Sequence, residues 1–181
     1  MLDLLIAARD PDTGDTLDDA DIRDQCSTMI GAGFETTARL LFWACYLLCL
    51  DRAEQERLRA QVIAAPLGAI ATMDDLRRWP AVREVLLETL RLYPPAPVMV
   101  RQALAADTIL GIDVKPGELV FISPWVIHRH RAYWEQPTAF MPLPFRGKVM
   151  PWTSGTFMAF GGGPRICIGA AFAMAEAEIM L

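Results

Sequence analysis

A ten-residue segment, residues 160–169, restricts the local fold more than any other part of the chain. It reads Phe-Gly-Gly-Gly-Pro-Arg-Ile-Cys-Ile-Gly, with Cys167 near its end. Three consecutive glycines followed by a proline cannot continue a helix or a strand, so residues 161–164 must form a tight loop. Because glycine has no side chain, the backbone of this loop can approach a partner closely.

A helix is predicted directly after the loop, over residues 170–181, which are rich in Ala, Met and Glu. Cys167 therefore falls at or just before a helix N-terminus, where unpaired N–H groups and the helix dipole favour a sulfur anion. Arg165 adds a positive charge suited to a bidentate contact with a carboxylate. The segment indicates a thiolate that binds a partner; the alternative is a buried structural cysteine after a glycine-rich turn.

Residues 160–169 resemble the ligand loop Phe-x-x-Gly-x-Arg-x-Cys-x-Gly of the cytochrome P-450 superfamily of haem-thiolate monooxygenases. The five defining positions are Phe160, Gly163, Arg165, Cys167 and Gly169. The resemblance implies that all five belong to the site of haem b (iron protoporphyrin IX). Cys167 would be the proximal iron ligand, Arg165 would contact a haem propionate and Phe160 would pack near the ligand loop.

A long helix is predicted over residues 18–50. Asp18 or Thr16 can cap it, and apolar residues recur along it at intervals of three and four. Unbroken, it would be roughly 50 Å long. Residues 40–50 carry no charge and are apolar on every side of the helix, which is typical of a helix inside a larger protein.

Polar and glycine residues interrupt this helix at residues 31–37. Gly31 and Gly33 each cost about 1 kcal/mol relative to Ala in a helix interior. Residues 32–36 are similar to the oxygen-binding segment of the same family, Ala/Gly-Gly-x-Asp/Glu-Thr. The resemblance implies that Gly33 leaves room for dioxygen, that Thr36 hydrogen-bonds it and that Glu35 helps to relay protons. The alternative is a glycine-softened helix in which the Thr hydroxyl bonds to the preceding turn.

Two further helix signals follow. Thr72 and Asp75 have the spacing of a capping box, and Pro80 can begin a helix that extends over residues 81–92.

Glu88 and Arg91 lie three residues apart on one face of that helix. They match the family's Glu-x-x-Arg, which implies a buried, structural ion pair near the haem. The family usually completes this network with an arginine at a position that Pro144 occupies here. Arg146, two residues further on, is the candidate replacement.

Short strands are predicted over residues 98–102, 108–114 and 118–123, the last two on either side of a turn at residues 115–117. The first would be an edge strand that lines a cavity. In the family an arginine of this strand meets a haem propionate, which makes Arg101 the candidate; the alternative is a solvated surface arginine.

The two histidines and the three cysteines other than Cys167 are assigned no chemical role. His128 and His130 lie in a basic loop, where a solvated side chain is the usual outcome. Cys45 and Cys49 lie four residues apart on one helical face, and with no further ligand nearby they are interpreted as core residues. Cys26 is likewise interpreted as packing.

The net charge argues against a nucleic-acid partner, and the cysteine spacing argues against a disulfide framework. A net charge of −5 without a basic cluster argues against nucleic acid, and the chain has no membrane segment. Four cysteines without CxxC spacing or a secretory signal favour a reducing cytoplasm over a disulfide framework.

The sequence predicts a mainly α fold with small β-sheets. The resemblance implies the C-terminal part of the cytochrome P-450 fold: a long central helix, the Glu-x-x-Arg helix, short strands, the meander, the cysteine ligand loop and the following helix. Residues 1–181 are expected to form a partial haem-binding catalytic domain that lacks the N-terminal half and the extreme C-terminus of the family fold.

The resemblance also implies an oxidoreductase, a monooxygenase that hydroxylates or epoxidises an apolar small-molecule substrate. Electrons would come ultimately from NAD(P)H through a ferredoxin, a flavodoxin or a flavin reductase. Two alternatives stay open. One is a non-catalytic, truncated haem-binding or sensor fragment; the other is a peroxygenase or isomerase of the same fold, against which the Glu35-Thr36 pair argues.

Overall fold

Helices make up most of the regular structure in the described residues, which are 2–68, 72–142, 145 and 155–181 of a computed structural model. The helices are α1 (Leu2–Ala7), α2 (Asp19–Leu50), α3 (Arg52–Ala64), α4 (Met73–Leu76), α5 (Pro80–Leu92), α6 (Pro124–Ile127) and α7 (Ala170–Met180). The strands are β1 (Met99–Gln102), β2 (Asp107–Ile109), β3 (Ile112–Val114) and β4 (Leu119–Ile122). The predicted class, mainly α with small β-sheets, is confirmed.

Helix α2 is one unbroken helix of 32 residues, about 48 Å long. Asp18 caps it, since its side chain accepts a hydrogen bond of 2.8 Å from the N–H of Asp21. The predicted apolar face is buried only from Thr37 onwards, at Thr37, Leu40, Ala44, Leu47 and Leu48. The first half of α2 has no fully buried residue, because the described helices α3, α5 and α7 leave that half uncovered.

Helix α5 is the most buried helix of the described residues. Eleven of its residues are buried: Ala81, Val82, Glu84, Val85, Leu86, Leu87, Glu88, Thr89, Leu90, Arg91 and Leu92. The second half of α2 and helices α3 and α7 pack around it. Two ion pairs at the rim join these helices to it, Arg57 to Glu84 at 3.0 Å and Arg83 to Glu178 at 2.5 Å.

The predicted starts of α4 and α5 are confirmed. The Thr72 hydroxyl and backbone N–H both lie 2.8 Å from the Asp75 carboxylate, and the reciprocal bond of the capping box is also present. Pro80 is the first residue of α5, where its missing N–H costs no helical hydrogen bond.

The strands form two separate antiparallel ribbons, β1 with β4 and β2 with β3. The prediction of one strand over residues 108–114 is wrong, because this stretch is a hairpin. Its turn contains Leu110 and Gly111, whose φ angles of 50° and 81° match the twist of tight hairpins. The turn at residues 115–117 is present, but the strand after it pairs with β1, so that Val120 lies opposite Arg101.

The uncharged stretch of α2 is buried on one face only. Cys45 and Cys49 are exposed, so their interpretation as core residues is wrong. Phe42 and Tyr46 are exposed beside them, at 63% and 46% of their full accessible surface. The described helices cover only the side of α2 that carries Leu40 and Ala44. Apolar residues on the other sides of α2, such as Phe42, therefore remain accessible to solvent.

Candidate active site

The Cys167 loop is a turn held by backbone hydrogen bonds. Gly161 and Gly163 have φ angles of 78° and 65°, in the region that glycine adopts without strain. A short 3₁₀ turn, Gly163–Arg165, follows, and the N–H of Cys167 donates to the carbonyl of Phe160 at 2.8 Å. The loop is therefore closed upon itself, and the Cys167 side chain is exposed at its exit.

Helix α7 begins three residues after Cys167. The N–H of Ala170 donates to the Cys167 carbonyl at 3.4 Å, which joins the loop to the first turn of the helix. Gly169 lies beside the thiol, since a Cβ built on it would be 3.9 Å from the Cys167 sulfur. The predicted position of Cys167, just before a helix, is confirmed.

Strand β1 packs against the same loop. A Cβ built on Gly161 would lie 3.5 Å from the sulfur of Met99 and 3.5 Å from the Arg165 carbonyl, which is van der Waals distance and places Met99 beside the turn. Met99 was not predicted to take part. Arg101, two residues along the strand, is exposed, and its guanidinium donates to the Val100 carbonyl at 2.9 Å.

The polar segment of α2 lies on an exposed part of the helix. The Thr36 hydroxyl donates to the carbonyl of Ala32 at 2.7 Å, and Glu35 forms an ion pair with Arg39. A Cβ on Gly33 would meet nothing within 4 Å. These hydrogen bonds, as far as the described residues show, stay within α2. The hydroxyl oxygen of Thr36 keeps its acceptor capacity, and the Glu35 carboxylate is accessible to solvent.

The structure thus divides the predicted residues into two groups. One group forms the loop before α7, namely Phe160, Gly163, Arg165, Cys167 and Gly169. The other lies on α2, namely Gly33, Glu35 and Thr36. Helix α2 packs against α7, and β1 with Arg101 packs against the loop through Met99.

The Glu88–Arg91 pair is present and almost fully buried, with 1% and 2% of the side-chain surfaces exposed. Two N–H groups of Arg91 bind the carboxylate, each at 2.7 Å. The other three donate to the carbonyls of His128, Pro137 and Ala139 at 2.7 to 2.9 Å. All five guanidinium donors are therefore used.

Glu88 extends this network into the irregular segment. One of its oxygens also accepts from the N–H of Met141 at 2.7 Å. Burial raises the pKa of Glu88, while the contacts from Arg91 and Met141 oppose the rise. The network fixes residues 128–141 to α5. Pro144, at the position of the family's third arginine, and Arg146, its candidate replacement, lie outside the described residues.

His128 is fully buried, so its interpretation as a solvated loop residue is wrong. Its Nδ1 lies 3.1 Å from the Arg91 carbonyl, and its Nε2 accepts from the N–H of Met158 at 2.7 Å. Burial, together with the charges of Arg91 and Arg129, lowers the pKa of His128 to about 4. His130, in contrast, is exposed as predicted.

A local signal could have located His128. Ser123 followed by Pro124 is an N-cap followed by proline at N1, which predicts a short helix over the apolar residues 125–127. This helix ends at Ile127, and the C-cap residue after it, His128, lies in the interior although Trp125 and Val126 are exposed. The alternating His and Arg of residues 128–131 instead indicated a solvated basic loop, so this helix signal was missed.

Comparison with known proteins identifies the family. The family model described as Cytochrome P450 matches residues 1–181, the whole chain. The chain belongs to the cytochrome P450 family.

Individual cytochromes P450 are similar over the same length. Cyclooctatin synthase of Streptomyces melanosporofaciens is 39% identical over 184 residues, which cover 100% of this chain and 40% of the relative. Cytochrome P450 4A10 of Rattus norvegicus is 35% identical over 183 residues, covering 100% of this chain and 36% of the relative. The crystal structure of the cytochrome P450DA heme domain superposes with a TM-score of 0.87 at 33% identity, covering 97% of this chain and 39% of that chain. The chain thus spans about two fifths of the length of these relatives.

Membership of the cytochrome P450 family implies a haem cofactor, and the residues around Cys167 fit such a group. The thiol is exposed, and the apolar side chains of Ile166 and Ile168 beside it are 44% and 94% exposed. Arg165 and Arg101 are exposed cations on the loop and on the strand packed against it. A soft sulfur donor, apolar surface and two guanidinium groups are the contacts that an iron porphyrin with two carboxylates requires.

No helix within the described ranges is both long enough and apolar enough to cross a bilayer.

Proposed function

We propose that this chain supplies the thiolate and the oxygen-side residues of a haem-thiolate monooxygenase. The reaction inserts one atom of dioxygen into a C–H or C=C bond of an apolar small molecule, and the other atom leaves as water. The observation that carries the proposal is the exposed Cys167 thiol, held by its own N–H on the Phe160 carbonyl in a chain of the cytochrome P450 family.

In this proposal Cys167 binds the iron, and the loop orients the sulfur. When bound, the haem supplies the oxidising chemistry, and a strongly donating thiolate favours cleavage of the O–O bond. Arg165 and Arg101 bind the propionates. Their exposure leaves both guanidinium groups accessible for such contacts.

On α2, Thr36 and Glu35 hold and deliver protons. The Thr36 hydroxyl donates to the Ala32 carbonyl, so its oxygen is available to accept a hydrogen bond from a second donor. The exposed carboxylate of Glu35 exchanges protons with solvent. Gly33 keeps the adjacent helix surface free of a side chain. Electrons come ultimately from NAD(P)H through a ferredoxin, a flavodoxin or a flavin reductase.

Replacement of Cys167 by Ser tests the proposal. Wild-type chain loaded with haem is expected to show the strongly red-shifted Soret band in its reduced carbon monoxide difference spectrum. Cys167→Ser is expected to lose that band, because a hydroxyl is a poor iron ligand in place of a thiolate. Cys45→Ser is the control, since Cys45 is exposed on α2 and is expected to leave the spectrum intact. Equal loss in both variants contradicts the assignment of the ligand.

Turnover is a separate measurement. Oxygen-dependent consumption of NAD(P)H in the presence of a reductase, together with formation of an oxidised product, is the expected result. Consumption without product contradicts the monooxygenase reaction while leaving thiolate ligation unaffected.

A peroxygenase or isomerase of the same fold is the second candidate. The observation that favours it is that Thr36 and Glu35 already have partners within α2, Ala32 and Arg39, as they would in a helix without a role in proton delivery. Turnover supported by hydrogen peroxide but not by NAD(P)H and a reductase would favour this candidate.

A further inference from the structure

His128 connects the Glu88–Arg91 ion pair to the segment that precedes Cys167. Its Nδ1 lies 3.1 Å from the Arg91 carbonyl, and Arg91 in turn donates to the His128 carbonyl at 2.9 Å. Because a carbonyl oxygen only accepts hydrogen bonds, Nδ1 carries the proton and Nε2 is left as an acceptor. The N–H of Met158 donates to that acceptor at 2.7 Å. The ring is therefore held in one tautomer by two elements.

The partner segment continues directly to the ligand loop. The Phe157 ring stacks on the imidazole, with centroids 5.0 Å apart and planes 10° apart. The Met158 carbonyl accepts from the N–H of Gly161 at 3.0 Å, and the Phe160 carbonyl accepts from the N–H of Cys167 at 2.8 Å. One turn, at residues 158–161, thus connects the imidazole to the Cys167 backbone. The Met158 N–H of this turn bonds to His128, and its Phe160 carbonyl bonds to the Cys167 N–H.

We propose that His128 is a positioning residue for the thiol of Cys167. Its Nε2 fixes the Met158 peptide, and thereby the turn at residues 157–161 on which the Cys167 N–H is bonded. The assignment rests on the proposed function in one respect, namely that the thiol positioned in this way is the ligand of the haem iron.

A packing role alone would require only the volume and the stacking surface of the ring. Here both ring nitrogens have backbone partners, and the second of them requires a neutral imidazole. Burial and the positive charges of Arg91 and Arg129 lower the pKa of His128, which keeps Nε2 an acceptor at neutral pH. His128 does not bond Cys167 directly but acts on it through the Met158 peptide and the turn that contains the Phe160 carbonyl.

Three substitutions separate the acceptor from the packing. His128→Gln places a carbonyl oxygen at the position of Nε2 and retains the acceptor for Met158. His128→Asn retains a donor towards the Arg91 carbonyl but does not reach Met158. His128→Phe retains volume and stacking against Phe157 without any acceptor. The first is the conservative variant, and the other two lose the hydrogen bond in different ways.

Amide hydrogen exchange in the full chain without haem is the first measurement. His128→Asn and His128→Phe are expected to accelerate exchange of the Met158 and Cys167 amides about tenfold, the size expected for one buried hydrogen bond. His128→Gln is expected to exchange at nearly the wild-type rate. The amides of α5 are expected to accelerate less than those of Met158 and Cys167 in both His128→Asn and His128→Phe. Acceleration of the α5 amides to the same extent would indicate a packing role and would overturn the proposal.

The second measurement is the reduced carbon monoxide difference spectrum of the haem-loaded chain. The red-shifted Soret band is expected to weaken in His128→Asn and His128→Phe and to be retained in His128→Gln. An unchanged Cys167 amide in the first two, or equal loss in all three, overturns the positioning role. If the wild-type chain itself lacks the red-shifted band, the proposed function fails, while the exchange rates still decide whether His128 fixes the loop.

Discussion

Arg91 shows at the residue scale how one side chain holds an irregular segment. Residues 128–141 follow α6 and contain no helix or strand, so their carbonyls need partners from elsewhere. Arg91 supplies three donors to them, while Glu88 compensates its charge. The Trp134 ring lies 5.0 Å from the guanidinium and adds a cation–π contact.

Arg91→Leu is therefore expected to be strongly destabilising. It leaves the buried Glu88 carboxylate and three carbonyls without their partner, and loss of one member of a buried pair costs about 3–5 kcal/mol. The free energy of unfolding in urea is the measurement. Arg77→Leu is the control, because its ion pair with Asp74 is exposed at 84% and 81% and is expected to contribute little. Similar losses in both variants would contradict the role of the network.

Thr36→Ala tests the proton-delivery role at the same scale. The variant is expected to bind haem normally and to consume NAD(P)H, but to release more of the reduced oxygen as peroxide, because one hydroxyl of the relay is gone. Ser27→Ala is a matched control, since the Ser27 hydroxyl makes the same type of bond within α2, to the Arg23 carbonyl at 2.9 Å. Unchanged product per NAD(P)H in Thr36→Ala would exclude the relay.

Local signals predicted the elements well where neighbours in sequence determine them. Asp18, the Thr72–Asp75 box and Pro80 mark helix starts through contacts within one turn, and all three occur as predicted. The single strand predicted over residues 108–114 was wrong although a turn signal was present. Gly111 lies in the middle of the apparent strand and forms part of the hairpin turn. The pairing of β4 with β1 could not be predicted in this way, because it joins residues about 20 positions apart.

The glycines of α2 give a prediction at the element scale. Gly31 and Gly33 both lie in the helix, and a Cβ on either meets nothing within 4 Å. Gly31→Ala and Gly33→Ala are each expected to stabilise α2 by about 1 kcal/mol, as measured by hydrogen exchange of its amides. Only Gly33→Ala is expected to reduce oxygen-dependent turnover. Equal turnover in both variants would exclude a role for Gly33 in admitting dioxygen.

At the scale of the whole molecule, α5 is the centre around which α2, α3 and α7 are assembled. Its apolar residues are buried on all sides, and Glu88 and Arg91, two of its buried polar residues, connect this core to the segment that leads to the Cys167 loop. Stability of the core and geometry of the loop are therefore coupled through His128, which contacts both.

Burial of a neutral His128 predicts a pH dependence of global stability. The pKa of His128 is lowered from 6.5 to about 4, so the native state binds its proton only near pH 4 while the unfolded chain binds it near pH 6.5. The free energy of unfolding should therefore fall as the pH decreases from 6.5 to 4, by about 3 kcal/mol in total, and this contribution should be constant below pH 4. Urea titrations of the wild type and His128→Gln at several pH values measure it as the difference between the two.

Other buried groups act in the opposite direction. The pKa values of Glu88 and Glu178 are raised, mainly by burial, so their protonation favours the native state as the pH falls. Both carboxyl groups are present in His128→Gln, so the difference between the proteins isolates the histidine. A wild-type curve parallel to that of the variant between pH 6.5 and 4 would contradict a neutral, buried His128.

The sequence by itself determined the features that depend on a few adjacent residues. The glycines before Cys167 impose a turn, the residues after it impose a helix, and the spacing of Glu88 and Arg91 places both on one face of α5. These outcomes follow from backbone sterics and helical periodicity, which act over one or two turns.

Only the tertiary structure decided which residues are buried and which distant segments meet. Cys45 and Cys49 are exposed although they lie in an apolar run, and His128 is buried although it lies in a basic loop. Met99 touches the Cys167 loop from a strand more than 60 residues away in sequence. Burial depends on which elements pack against a face, and that packing is a property of the whole assembly rather than of any local pattern.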